Sequence, residues 1–150
     1  MAMLRQWADE FEREVAPRVP GQMRALVREH QQAGHLCAIV TATTRFIAEP
    51  FGRLFGVAAV LATRSLVIGD ALDGGIDGDP CFGIHKLAHV AHWLEARATR
   101  LDALERSWFY SDSASDLPLL EAVTDPVAVA PDARLRARAV QGGWKVIERG

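Results

Sequence analysis

The sequence predicts an α/β protein with a mostly parallel sheet and helices on both faces. Three observations carry this reading. Short apolar runs of strand length alternate with segments of helical periodicity from residue 21 onward. The first run, "LCAIV", is continuous, as in strands covered on both faces. Polar residues collect where runs end, and parallel α/β sheets gather ligands beyond the carboxyl ends of their strands.

The elements follow in order. Residues 3–16 place Leu4, Trp7, Phe11 and Val15 at helical spacing, and "APRVPG" ends that pattern. A helix over 21–33 sets Met23, Leu26, Val27 and His30 on one face and stops at Gly34. "LCAIV", 36–40, is the first strand, with Cys37 a small buried hydrophobe inside it. "TATTRFIAEPFGRLFG" reads as a loop entering a helix that ends at Gly56, with Pro50 marking its start or a kink. "AAVLAT" and "RSLVIGD" are strands, and "ALDGGIDGDP" is a turn-rich hairpin or flap. A helix over 84–98 turns Leu87, Val90, Trp93 and Leu94 inward. "WFYS" is a strand, 116–123 a short helix, "PVAVA" a strand, "DARLRARAVQ" a helix and "WKVIE" a final strand.

At 150 residues the chain is sized for one domain with one core. Apolar residues make up 49% and charged residues 24%, an ordinary soluble composition. The net charge of −2 supplies no bulk drive toward nucleic acid or an acidic membrane. The opening "MAMLRQWADEFEREV" has early acidic residues and no continuous apolar segment, which argues against a signal peptide. No stretch has the length of a membrane span. Cys37 and Cys81 form neither a CxxC nor a zinc-like pattern, and a reduced, cytoplasmic setting is expected.

Three polar sites fall at strand ends: Thr41, Asp112 with Asp116, and Asp132. Two Asp carboxylates near a strand end suit a hard cation such as Mg²⁺. Asp116 precedes Leu117-Pro118 and equally suits a helix N-cap. The Thr41 hydroxyl and the backbone N–H groups after it can hold a phosphate near a helix start, or simply cap an ordinary strand-to-helix turn. Lys86 opens a helix, where its charge opposes the helix dipole; neutralising a bound anion gives it a reason to be there, and a solvated surface position is the alternative. His85, His89 and His92 share one helix face, but "HKLAH" lacks the Glu of a HExxH zinc motif. Arg134, Arg136 and Arg138 spread around their helix as a solvated surface.

Together these residues resemble the haloacid dehalogenase superfamily, in its phosphoserine-phosphatase-like branch. "SDSASDLPLLEAV…PVAVAPDARLRARAVQGGWKVIE" is similar to that branch's fourth motif and tail, "CAIVTATTRFIAEPFGRLFGV" to its second motif, and "CFGIHK" to its third. The resemblance covers about residues 20–148 and implies a three-layer, Rossmann-like core over 21–150, with a small hairpin at about 63–80 and a remnant of the helical cap at 1–20. It also implies a phosphomonoester hydrolase acting on a small phosphorylated metabolite with Mg²⁺. Thr41 and the Ala42 N–H would hold the phosphoryl group, Lys86 would offset charge, Asp112 would ligate Mg²⁺, and Asp116 would ligate it or order its shell.

Two departures from the family pattern stand out. Ser115 occupies a position where this branch often has Asn. More seriously, no strand ending in D-x-D precedes "LCAIV", although the family's nucleophile is the first Asp of that motif. The sole D-x-D, Asp77-Gly78-Asp79, sits in a Gly-rich segment with no expected strand before it. The expected fold therefore lacks its first, central strand and most of the cap, and the chain alone is expected to be inactive. The strands ending at Thr41 and Asp112 lose their shared neighbour, so they would close on each other, stay open, or take a strand from a second copy or another partner. Decay to a non-catalytic module that binds phosphate or Mg²⁺ is the other reading.

Overall fold

The computed structural model describes residues 21–68, 71–78 and 80–148, together with Glu10 and Arg13, with side chains described outside 65–77. The helix expected over 3–16, the cap remnant at 1–20 and Asp79 of the D-x-D lie, those two residues apart, outside the described residues. The chain divides into two compact units, Met1–Cys81 and Phe82–Gly150.

The first unit runs α1 (Gly21–Gln32), β1 (Ala38–Thr44), α2 (Arg45–Phe55), β2 (Ala59–Ile68) and β3 (Ala71–Asp77). Its three-stranded sheet has the order β1-β2-β3, with β1 parallel to β2 and β3 antiparallel to it. Gly34 ends α1 in the left-handed region, at φ 80°, and the His35 N–H returns to the His30 carbonyl at 3.0 Å. Side chains of α1 satisfy carbonyls that the end of α2 leaves open: Gln31 Nε2 donates to Gly56 O at 2.9 Å and Arg24 to Leu54 O at 3.3 Å. Gly52 of α2 lies so close to β2 that an added Cβ would stand 2.8 Å from Val60 Cγ2. Pro50 sits within α2 rather than at its start, buried in the core.

Three boundaries differ from the sequence reading. First, β1 starts at Ala38 and continues through Thr44. The run of threonines, β-branched and at home in strands, extends it beyond the apolar stretch. The register jumps between Val40 and Thr44, where four steps along β1 face two along β2, so residues 41–43 bulge. No β1 residue is fully buried and Cys37 is half-buried, so this strand is not the deeply covered one that continuous apolarity suggests. Second, "AAVLAT" and "RSLVI" are one strand, not two. Third, "ALDGGID" is a strand, paired with β2 from Arg64↔Asp77 to Ile68↔Ala71. Its Gly pair reads as a turn in sequence, but Gly74 and Gly75 lie inside the strand. A strand thus does precede Asp77, though in an antiparallel hairpin.

The second unit runs α3 (Ile84–Glu95), β4 (Trp108–Ser111), α4 (Leu117–Leu120), β5 (Asp125–Val129), α5 (Ala133–Gly142) and β6 (Lys145–Ile147). Its strands form an all-parallel sheet in the order β4-β5-β6. Leu120, Ala128, Leu135 and Ala139 are wholly buried in one cluster, with Phe109, Trp144 and Val146 packed against it. Asp132 caps α5, accepting the Leu135 N–H at 2.7 Å. Among the described residues, β1 pairs only with β2, and β4 only with β5.

Burial in this cluster sets the expected cost of mutation. Leu135→Ala should lower unfolding free energy by about 2–5 kcal/mol. Val140→Ala, on the exposed side of the same helix, should change it by less than about 0.5 kcal/mol. Urea melts of the two variants check this.

Candidate active site

Local backbone geometry puts Lys86 in place. Gly83 adopts φ 55° and ψ −129°, a conformation that costs a residue with a Cβ and that Gly takes freely. From that corner α3 begins, and the Lys86 N–H donates back to the Gly83 carbonyl at 3.1 Å. The spacing in Gly83-Ile84-His85-Lys86 thus carries a lysine into the first turn of a helix, where it is 7% exposed.

A lysine so buried needs an anion. Asp116, itself 5% exposed, provides one: its Oδ1 lies 2.7 Å from Lys86 Nζ. The contact is ionic rather than a well-aligned hydrogen bond, since Oδ1 accepts none of good geometry among the described residues. Asp116 Oδ2 accepts the hydroxyl of Ser111, the buried last residue of β4. Asp116 is the N-cap position of α4 with Pro118 in the first turn, yet its side chain makes no cap hydrogen bond. Its carboxylate is committed inward to Lys86 and Ser111. Asp116 thus stands at the N-cap position expected of it, but its side chain does not cap the helix and is engaged by Lys86 and Ser111 instead.

The loop after β4 is closely tied. Ser111 Oγ also accepts the Ser113 N–H at 3.2 Å, and Ser113 Oγ accepts the Ser115 N–H at 3.2 Å. The hydroxyls of Ser113 and Ser115 are 2.8 Å apart, so Ser115 takes part in this loop network where the branch often has Asn. Asp132 holds the loop from outside, accepting the Ala114 N–H at 2.9 Å on Oδ2, and its own N–H donates to Asp112 O at 2.9 Å. These backbone donors, Ala114 first and Leu135 next, hold the Asp132 carboxyl below the usual range. The sequence marks Asp132 only as a polar residue at a strand end; the Asp before "ARLRARAV" is the cap signal that would have revealed its role. Ser111 carries no such signal, because its partner Asp116 becomes its neighbour only through the loop's fold.

Asp112 follows β4 directly and is exposed, with no hydrogen bond or ion pair from its side chain among the described residues. An acceptor-only carboxylate in that position fits one ligand of a hard cation that keeps its waters. Among the described residues, no three His, Cys, Asp or Glu side chains are grouped to hold a metal, and this includes His85, His89 and His92.

Thr41 and Ala42 belong to the first unit, in the bulge of β1. The Thr41 hydroxyl accepts the Thr43 N–H at 3.1 Å. Thr63 of β2, 5% exposed, was not singled out in the sequence; its hydroxyl donates to the Ala42 carbonyl at 2.9 Å and accepts the Cys81 N–H at 3.0 Å. The bulge is thus pinned at the residue whose N–H the family would use. A buried Thr inside an apolar strand is the signal that could have pointed to it. A cavity of the second unit, about 640 Å³, is bordered by Arg106, Trp108, Thr124, Asp125, Gly143 and Trp144. It opens at the amino ends of β4–β6, opposite the end that carries Asp112.

Comparison with known proteins identifies the family. A haloacid dehalogenase-like hydrolase family model matches residues 1–121. A histidinol-phosphatase of Neisseria meningitidis is 36% identical over 144 residues, covering 92% of this chain and 65% of its own length. A phosphoserine phosphatase of Mycobacterium tuberculosis is 32% identical over 133 residues, covering 88% of this chain and 42% of its own. Among solved structures, a protein of unknown function from Bordetella pertussis Tohama I is 42% identical, with a TM-score of 0.93 over 97% of this chain and 66% of that one. A probable phosphoserine phosphatase from Vibrio cholerae shares the fold, with a TM-score of 0.67 at 15% identity, over 89% of this chain and 40% of that one. The chain belongs to the haloacid dehalogenase-like hydrolases. It spans between two fifths and two thirds of the length of these relatives.

Two outcomes test this geometry. Lys86→Met strands a buried carboxylate and should cost about 3–5 kcal/mol of stability, while the double variant Lys86→Met with Asp116→Leu should recover most of that loss. Denaturant melts of the wild type, both single variants and the double variant measure the coupling. Asp132 gives a pH signature. Its folded pKa is depressed, so the stability it contributes is present above the unfolded value, near 3.8, and is lost as pH falls through the lower folded value. The melting temperature of Asp132→Ala should therefore lie below wild type at pH 7 and approach it in strong acid.

Proposed function

We propose that the chain forms the phosphoryl- and Mg²⁺-handling part of a phosphomonoester hydrolase that acts on a small phosphorylated metabolite. The observation that carries this is the buried Lys86–Asp116 pair beside the exposed Asp112, in a G-x-x-K and D-x-x-x-D frame. The ammonium has three donors, and Asp116 is its recorded partner among the described residues, which leaves N–H capacity for phosphoryl oxygens. In this reading Lys86 neutralises charge on the transferring group. The family resemblance gives Thr41 Oγ1 and the Ala42 N–H a phosphoryl-binding role in the first unit, where Thr63 holds the Ala42 peptide in place. Asp112 would be a Mg²⁺ ligand, and Asp116 would fix Lys86 and the loop that carries Asp112. The metal would supply charge neutralisation and a template for the oxygens. Phosphoryl transfer depends mainly on such positioning and electrostatics.

The family's covalent step uses an aspartate of a D-x-D motif ahead of β1, and residues 1–37 contain no D-x-D. Asp77 does not suit that role, since it closes an antiparallel hairpin strand. The name of the Neisseria relative makes histidinol phosphate the first substrate to try, and phosphoserine the second.

A second reading rests on the open sides of β1 and β4. Strands paired along one side only can accept a strand from another chain or a second copy, with the site serving for binding rather than turnover. Sedimentation separates the two, since a well-folded monomer at all concentrations counts against strand exchange.

The assay is phosphate release from histidinol phosphate and phosphoserine with Mg²⁺. The chain alone should show no turnover, and Mg²⁺-dependent hydrolysis by it would refute the need for a further aspartate. Turnover should appear when a strand ending in D-x-D, read from the coding DNA upstream of Met1, is joined to the chain. An extended chain of that kind that folds and remains inactive would overturn the phosphatase reading.

A further inference from the structure

The turn between α1 and β1 brings two histidines together at the amino end of β1, the end opposite Thr41. His30 occupies the last turn of α1, and Gly34, at φ 80°, reverses the chain so that the His35 N–H reaches the His30 carbonyl at 3.0 Å. The rings then meet with Nδ1 2.9 Å from Nδ1, centroids 5.1 Å apart and planes tilted by 46°. Cys37 follows two residues on, and its thiol sits against the His35 carbonyl, Sγ to O 3.5 Å. We propose that His30 and His35 form a two-nitrogen chelating site for a borderline divalent transition ion of the Zn²⁺, Ni²⁺ or Cu²⁺ class.

The argument is geometric. An imidazole nitrogen binds such an ion at about 2.0–2.1 Å, so two nitrogens on one ion stand about 2.9–3.4 Å apart. The observed separation is at the lower edge of that range, and rotation of the two rings aims both lone pairs at one point. In the metal-free pair one Nδ1 carries a proton and the other accepts it. On coordination the donor ring passes that proton through water to its own Nε2, so both rings stay neutral and no net proton is released. His35 is exposed, so water can complete the coordination. The frame is already fixed, since Gln31, between the ligands, is tied to Gly56 O at 2.9 Å. The side chains form a two-nitrogen jaw and not a closed cluster, in keeping with the absence of a ready three-ligand group among the described residues. Nitrogen donors select against Mg²⁺, which takes oxygen, so this site and the Mg²⁺ site proposed above would differ in the ion they take.

Calorimetric titration with ZnCl₂ and NiCl₂, in a non-chelating buffer containing excess Mg²⁺, tests the proposal. One equivalent should bind. His30→Gln and His35→Gln should each weaken binding by at least about tenfold. His92→Gln, an exposed histidine on α3, should leave it unchanged. Independently of any variant, substoichiometric Ni²⁺ should broaden the wild-type amide resonances of residues 30–37 first. No binding by the wild type, equal binding by the His30→Gln, His35→Gln double variant, or broadening centred on residues 85–92 would overturn the proposal.

Discussion

The second unit is organised around one costly interaction, the ion pair of Lys86 with Asp116. Removing both groups from water carries a desolvation penalty of several kcal/mol per ion, and the attraction between them offsets this only with good geometry and extra hydrogen bonds. Asp116 has the Ser111 hydroxyl as its second partner, whereas Lys86 has donors to spare. A pair built only for stability could be replaced by two apolar side chains. A pair that keeps unsatisfied donors beside an exposed carboxylate is better explained by an anion that arrives later. The surrounding features serve this pair: Gly83 turns the chain so that Lys86 enters a helix early, β4 ends at Ser111, and the serine loop is held by Asp132.

The first unit shows the same economy at a smaller scale. The bulge at 41–43 takes these residues out of the regular β1–β2 ladder. Thr63 recovers part of the lost order from beneath, with one hydroxyl serving both the Ala42 carbonyl and the Cys81 N–H. A buried hydroxyl that both donates and accepts carries little unsatisfied polarity, so the core tolerates it.

Much of this was legible in the sequence, and the reasons are local. Periodicity and Gly34 located α1, and the apolar runs "WFYS" and "PVAVA" located β4 and β5 to within a residue. The awkward position of Lys86, a cation at a helix start, was the visible trace of its ionic role. Patterns that depend on pairing were not legible. "TATT" looks like a loop because it is polar, and "ALDGGID" looks like a turn because of its glycines; in both, contact with β2 outweighs intrinsic preference. Ser111, Thr63 and the His30–His35 contact were missed for the same reason, since each depends on where a loop or neighbouring strand brings its partner.

The proposed role of Lys86, held by Asp116, and of the exposed Asp112 is to handle phosphate and Mg²⁺ in the second unit. The most direct measurement is a titration of inorganic phosphate with Mg²⁺ into isotope-labelled protein, followed through assigned amide and lysine side-chain resonances. Saturable, Mg²⁺-dependent shifts are predicted at Lys86 and Asp112. No response at these two residues, or a response that is the same without Mg²⁺, would contradict this role.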